Sequence, residues 1–214
     1  MNFKKHHFLA LLISFFLVDF LFAADFYWVN NSGNWNDASH WSNTSGGNGN
    51  FGTPSQNDNV FFDANSFTLT NQKVEITNNF SVNNLSITAE VIHFELLSLQ
   101  PIILDIYGIV NTPAIFKNNL KGTINLTSQD NSLKPMHFGN WNWNTNFNFK
   151  GNGTYQLTSQ LRTSNNAVTL TKGELDLNQN NIVCNSFISN SGLKRKLESQ
   201  NSSILSNTAW KTSR

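Results

Sequence analysis

Residues 149–177 read FKGNGTYQLTSQLRTSNNAVTLTKGELDL, and one strand pattern occurs in them twice. Tyr155 and Leu157 alternate with polar residues, and the same alternation returns twenty residues later at Leu175 and Leu177. Alternation with a period of two is typical of a strand that has one buried face. A constant distance between equivalent strands is typical of a solenoid, in which each turn stacks on the turn before it. This stretch therefore predicts coiled turns of about twenty residues.

A second series of apolar pairs has nearly the same period. Its successive first members are 19, 20, 23, 21 and 19 residues apart, and the series consists of Leu85/Ile87, Leu104/Ile106, Ile124/Leu126, Phe147/Phe149, Val168/Leu170 and then Phe187. Two registers with one period favour an all-β, right-handed parallel β-helix. The alternative is an antiparallel β-sandwich, which also has short strands but requires no common period. We interpret residues 132–146, SLKPMHFGNWNWNTN, as an insertion that lengthens one turn.

The rest of the chain also has the pattern of strands. Beyond the first 24 residues, no window shows a convincing helical period, and one segment is ambiguous. In IHFELLSLQPIIL, residues 92–104, the apolar run fits either a buried strand or one helical turn. Pro101 would end both.

The composition is neutral and rich in turn-forming residues. Charged residues make up 13% of the 214 positions, and asparagine occupies about one position in six. Without the leader described next, the basic and acidic residues number 12 each, which argues against nucleic acid as a partner. In stacked turns, asparagine amides can bond to the turns above and below, which accounts for their abundance. Cys184 is the only cysteine and is predicted to be a buried, unreactive side chain.

Residues 1–24 have the features of a secretory signal peptide. Two lysines precede an apolar run at residues 8–18, and the small residues Ala23 and Ala24 follow it. This pattern predicts a secreted or cell-surface protein whose mature chain has no membrane span. The alternative is an uncleaved N-terminal membrane anchor.

The segment WVNNSGNWNDASHW, residues 28–41, contains Trp28, Trp35 and Trp41. These rings would either bind sugars or cover the apolar end of the solenoid, and the start of the repeat directly after them favours a cap. We therefore divide the mature chain into a cap with the first strands, residues 25–66, and β-helix repeats, residues 67–214.

Two pairs of residues are candidates for ligand binding. Trp141 and Trp143 are two positions apart, so in an extended strand they share a face that can stack on sugar rings if it is exposed. Their alternative role is in the core. Asp58 and Asp63, in NDNVFFDAN, supply the hard oxygen ligands that calcium prefers. The alternative, which the spacing favours over a calcium loop, is that both cap turns around a buried strand at residues 60–62.

The sequence offers little for catalysis. Asp105 and Asp176 lie in strand-like runs, where alternation alone would point them outward. His40, His93 and His137 are isolated and lack the spacing of a metal site. We therefore predict that the protein is not an enzyme and has no cofactor, calcium apart. A polysaccharide lyase or hydrolase is the less favoured alternative.

The N-terminal motifs resemble those of secreted, adhesin-like surface proteins of Bacteroidetes. The resemblance rests on FYWVNNSGNWNDASHWSNTSGG and TPSQNDNVFFDANSF, in which the matching residues are Trp28, Gly33, Trp35, Trp41, Ser42, Pro54, Asp58, Val60, Phe62 and Asp63. The repeats in residues 149–190 are similar to the solenoid turns of that group. The resemblance implies a non-catalytic β-helix at the cell surface, with a glycan or a protein as its partner. The group generally ends in a sorting domain, whereas this sequence ends at AWKTSR, so we expect a fragment or a truncated product.

Overall fold

The computed structural model describes residues 23–88, 91, 93–113, 116–139, 141–208 and 210–212. Within these ranges the protein is nearly all β, with one short 3₁₀ helix at Ala38–His40. No helix among the described residues is long and apolar enough to cross a bilayer. The predicted signal peptide lies almost entirely outside the described residues.

The described chain forms 21 short strands. In chain order they are β1 (Asp25–Trp28), β2 (Gly33–Asn34), β3 (Trp41–Ser42), β4 (Asn59–Phe62), β5 (Gln72–Glu75), β6 (Phe80–Val82), β7 (Asn84–Ile87), β8 (Phe94–Leu97), β9 (Ile102–Ile106), β10 (Val110–Asn111), β11 (Lys117–Asn119), β12 (Gly122–Leu126), β13 (Leu133–His137), β14 (Asn146–Phe149), β15 (Thr154–Leu157), β16 (Leu161–Leu170), β17 (Gly173–Asp176), β18 (Ile182–Ser189), β19 (Arg195–Glu198), β20 (Ile204–Ser206) and β21 (Lys211–Thr212).

These strands stack into a parallel β-solenoid of about six turns. Sheet A has the order β19-β17-β15-β13-β10-β7-β4-β1-β3, sheet B the order β11-β8-β5-β2, and sheet C the order β20-β18-β16-β14-β12-β9-β6, with β21 beside β18. Every pairing of described strands is parallel except that of β1 with β3. The predicted solenoid is confirmed, and the antiparallel sandwich is excluded.

Sheets B and C merge in the later turns. The first half of β16, residues 161–163, pairs with residues 182–184 of β18, and its second half, residues 167–169, pairs with residues 186–188. The rings of Phe94, Phe116 and Trp143 continue the line of sheet B into this region, with centroids 5.5 and 5.6 Å apart. Early turns therefore have three sides, whereas later turns have one long strand, such as β16 or β18, and one four-residue strand of sheet A.

The register confirms most of the predicted repeat and corrects two parts of it. Sheet C stacks, in order, Phe80, Leu104, Ile124, Phe147, Val168 and Phe187. Leu85 instead lies in sheet A, between Val60 and Val110, where partners are 25 residues apart. Residues 132–146 are not an insertion, because they contain β13, an ordinary strand of sheet A. The three-sided turns simply need more residues than the later ones.

The ambiguous segment 92–104 forms strands. β8 and β9 lie in different sheets, and residues 98–101, which include Pro101, connect them. Leu96 and Leu104 point into the core, as alternating residues of a half-buried strand do.

The core runs along the axis of the solenoid, and its N-terminal end is closed by aromatic rings. Trp28, Trp35 and Trp41 are almost fully buried. The ring of Trp41 lies 5.0 Å from that of Trp28, 4.7 Å from that of Trp35 and 6.2 Å from that of Phe62. These rings are therefore placed as a cap requires, beyond the first complete turn.

Asparagine side chains connect successive turns, as their abundance predicts. Asn59 donates to Asp25 and accepts from Asn84, with distances of 2.8 and 2.7 Å. The side-chain oxygen of Asn84 then accepts a hydrogen bond from the amide of Ile109. One column of polar side chains thus joins four positions along sheet A, and its hydrogen bonds add to those of the backbone.

Candidate functional site

The two tryptophans proposed to bind sugars do not form an exposed platform. Trp143 is 1% exposed, and its indole N–H donates to the carbonyl of Phe138 at 3.0 Å. Trp141 is partly buried against the same core. Asn142, which lies between them, forms a parallel bridge with Arg162, and burial alternates along residues 141–145. The two tryptophans therefore share a face, as alternation predicts, but this face points inward. Of the two alternatives for this pair, burial favours the role in the core, because the ring of Trp143 cannot meet a sugar.

The two aspartates proposed for calcium are occupied by turn hydrogen bonds. The carboxylate of Asp58 accepts from the amides of Ala24 and Ser55 at 3.0 and 2.9 Å, and also from the Ser55 hydroxyl. Asp63 accepts from the amide of Asn65 at 2.9 Å. No group of three or more potential ligands among His, Cys, Asp and Glu occurs in the described ranges. The contacts of both residues are those of turn caps.

Asp105 and Asp176 do not come together. Asp105 lies in β9 of sheet C, where it pairs with Lys150 at 3.1 Å and accepts from Asn125 at 2.8 Å. Asp176 lies in β17 of sheet A, at least three turns further on, and accepts from Gln156 at 2.9 Å. Three turns span on the order of 14 Å, whereas paired-carboxylate hydrolysis needs roughly 5 to 10 Å. These two acids therefore cannot act as one catalytic pair.

Cys184 and His40 also have contacts that stabilise the fold. The thiol of Cys184 is buried in the core, and desolvation raises its pKa to about 11. A thiol with a raised pKa is a poor nucleophile at neutral pH. His40 stacks on Trp28 with ring centroids 4.8 Å apart, and its Nδ1 lies 3.0 Å from the carbonyl oxygen of Val29.

An open groove runs along the corner where the chain passes from sheet C to sheet A. Its first part, about 320 Å³, is lined by residues of successive turns that include Asn57, Asn83 and Tyr107. Its second part, about 430 Å³, begins at Asn131, and its lining around β17 and β19 includes the basic residues Lys172, Lys194, Arg195 and Lys196. The turn at residues 129–132 lies between the two parts. We call this surface the corner groove.

Buried hydrogen bonds hold the turns of this corner in place. The hydroxyl of Tyr155 donates to the carbonyl of Leu126 at 2.8 Å and accepts from the amides of Ser128 and Gly151 at 3.0 and 3.1 Å. At the groove itself, hydrogen bonds from Ser132, together with Lys134, hold the pKa of Asp130 well below its usual value. The groove is therefore built on a fixed backbone, as a preformed binding surface requires.

The corner groove was not predicted from the sequence. Its lining residues lie in short connections about twenty residues apart, and each connection alone looks like an ordinary turn. One signal was present, because Lys172 and Lys194 precede equivalent strands and differ by 22 positions. If the turns are aligned by the connections between strands instead of by the apolar pairs, these two lysines fall at the same position of successive turns.

Comparison of the chain with protein-family models, curated proteins and solved structures finds no match. The function is therefore inferred from the geometry of the molecule and from the sequence patterns.

Proposed function

We propose that this protein is an extracellular, non-catalytic, adhesin-like β-solenoid that binds a surface glycan or protein through the corner groove. The leader pattern in residues 1–24 supports export. The resemblance of residues 26–67 to secreted surface proteins of Bacteroidetes supports the adhesin-like role. The β-solenoid fold is compatible with both.

The corner groove is the observation that carries this proposal. It is open, follows the side of the solenoid over several turns, and is lined by amides, a tyrosine and charged groups. An elongated polar surface of this kind suits an extended ligand, because stacked turns repeat similar contacts along one axis. Carbohydrate and peptide chains both have the required length and polarity.

Export and binding can be tested separately. The full chain and a variant without residues 1–24 would be produced in a Gram-negative host, and the cell fractions would be compared. We expect the full chain outside the cytoplasm and the shortened chain inside it. Retention of both in the cytoplasm would contradict the extracellular role.

Binding would be measured with labelled residues 25–214 on immobilised polysaccharides and whole bacterial cells. We expect saturable binding without release of reducing ends or unsaturated products. Product release would favour the alternative of a polysaccharide lyase or hydrolase. Absence of binding to every surface would contradict the adhesin-like role.

A further inference from the structure

The second part of the corner groove has two parallel rows of side chains. Register places Thr154, Glu174 and Lys196 in one row, since these residues are partners in successive strands of sheet A. Two residues earlier in each case, in the connections that lead into these strands, Asn152, Lys172 and Lys194 form the other row. All six residues line this part of the groove, so both rows face it.

Glycines form the floor between the rows. Gly173 lies between Lys172 and Glu174, and it has a φ of +81°. A Cβ added there would lie 2.5 Å from the carbonyl oxygen of Gly151 and 2.8 Å from that of Gly153. No side chain fits at this position, because the backbone of the preceding turn fills the space of a Cβ.

The charges of the two rows are not balanced. Lys196 pairs with Glu174 at 3.3 Å and with Glu198 at 2.6 Å, so its charge is compensated. The ammonium groups of Lys172 and Lys194 form no ion pair or hydrogen bond with any described residue. Two uncompensated positive charges therefore line one row.

These two lysines belong to adjacent turns. The amide of Gly173 donates to the carbonyl of Lys194 at 3.2 Å, which places the two backbones one strand spacing apart. That spacing is about 4.8 Å, and like charges on adjacent strand positions repel each other. An anionic ligand that contacts both groups would relieve this repulsion.

We infer that the second part of the corner groove binds an anionic polysaccharide whose chain runs along the solenoid axis. Carboxylate or sulfate groups of the polymer would contact Lys172 and Lys194, and its hydroxyls would bond to Asn131 and Asn152. A sugar unit in an extended chain advances by a distance similar to one turn, so successive units meet successive turns. The volume of about 430 Å³ falls in the usual range of small-ligand sites, about 300 to 1,000 Å³.

This inference rests on the proposed binding function and adds the class of ligand and its location. Nucleic acid is the other anionic polymer to consider. The lining of this part of the groove contains no aromatic side chain on which bases would stack. The amides, in contrast, suit the many hydroxyls of a sugar chain.

The test compares binding of residues 25–214 to polygalacturonate, dextran sulfate, neutral dextran and single-stranded oligo-dT. We expect binding to at least one anionic polysaccharide, no binding to dextran, and weaker binding at higher salt. The double variant Lys172→Gln/Lys194→Gln should bind that polymer about tenfold more weakly. A matched control, Lys73→Gln/Lys121→Gln, removes two exposed lysines elsewhere and should bind like the parent protein.

Three results would overturn the inference. They are equal affinities for the parent and the groove variant, equal losses in the groove and control variants, and binding of oligo-dT without binding of either anionic polysaccharide. Melting curves of both variants verify that they are folded. If the protein is exported and binds cells but no anionic polysaccharide, the ligand class is wrong while the adhesin-like function stands.

Discussion

At the scale of single residues, Tyr155 shows how one polar group can stabilise a corner of the solenoid. Its hydroxyl makes three hydrogen bonds to backbone groups of two successive turns. Burial raises the pKa of this hydroxyl to about 12, partly offset by the amides that donate to it. The neutral phenol is therefore the form that the fold stabilises.

Replacing Tyr155 by phenylalanine should lower the free energy of unfolding by about 1 to 3 kcal/mol, because buried backbone groups lose their partner. Urea unfolding at pH 8 measures this loss. Tyr107→Phe is the matched control, since the hydroxyl of Tyr107 has no hydrogen bond to a described residue, and its effect should stay within about 0.5 kcal/mol. Equal effects of the two substitutions would contradict the structural role of the Tyr155 hydroxyl.

The raised pKa of Tyr155 also predicts a dependence of stability on pH. Between the ordinary pKa of 10.0 and the folded value of about 12, the unfolded chain loses the phenolic proton before the folded chain does. The contribution of this group is therefore complete below pH 10 and decreases as the pH rises towards 12. Unfolding free energies measured from pH 9 to 12 should fall less steeply for Tyr155→Phe than for the parent, and parallel curves would argue against this assignment.

At the scale of strands, inward and outward side chains of sheet C can differ sharply in burial. In β12, Ile124 is 2% exposed, while Ile103 in the neighbouring β9 is 44% exposed. The inward residue belongs to the continuous core, and the outward residue meets solvent. A charged side chain should therefore strongly destabilise the protein on the inward face and have little effect on the outward face.

Ile124→Asp should unfold the protein or lower its melting temperature by many degrees, because a carboxylate would be buried without a partner. Ile103→Asp introduces the same side chain on the outer face and should change stability by less than about 1 kcal/mol. Circular dichroism melts of the two variants provide the measurement. Similar melting temperatures would show that the assigned faces are wrong.

The asparagine column in sheet A contributes to the free energy of unfolding by joining neighbouring strands. Asn84 connects Asn59 to the amide of Ile109, whereas the exposed side chain of Asn57 bonds to no described residue. Asn84→Ala should therefore cost about 1 to 3 kcal/mol, and Asn57→Ala should be nearly neutral. Chemical denaturation measures both, and a neutral Asn84→Ala would mean that backbone bonds alone hold these turns.

The period of the strands was predictable, but their sheet and the orientation of some side chains were not. Leu85 fits the series of sheet C by number, since inward pairs of two sheets have the same alternating pattern. Trp141 and Trp143 share a face, as predicted, but this face is inward rather than exposed. Local alternation determines that a residue is inward or outward within a strand, whereas the number of sides per turn depends on how distant turns pack.

At the scale of the whole molecule, each turn contacts mainly the turns next to it. Stability in such a stack depends on local interfaces and on the protection of its ends. The aromatic cap contributes a large interface at the N-terminal end, since Trp41 contacts Trp28, Trp35 and Phe62.

Trp41→Ala should destabilise the protein by about 3 to 5 kcal/mol, because it removes a buried aromatic ring. The loss of local stability should be largest near the cap. Amide hydrogen exchange should therefore accelerate more in β1 and β4 than in β15 and β17. Trp210→Ala is the control, because Trp210 is 48% exposed and far from the cap, and it should cost no more than about 1 kcal/mol. Uniform acceleration along the chain would mean that the solenoid unfolds as a single unit.

The close packing of the cap tryptophans has an optical consequence. Trp41 lies within about 5 Å of both Trp28 and Trp35, at interplanar angles of 89° and 73°. Indoles at such distances share their electronic excitations, and their crossed orientation gives the coupled transitions a circular dichroism signal of opposite lobes. Trp143 lies among phenylalanines further along the axis, with Phe147 5.5 Å away. The molecule thus carries an exciton-coupled cluster at its N-terminal end, separate from the tryptophans further along the chain.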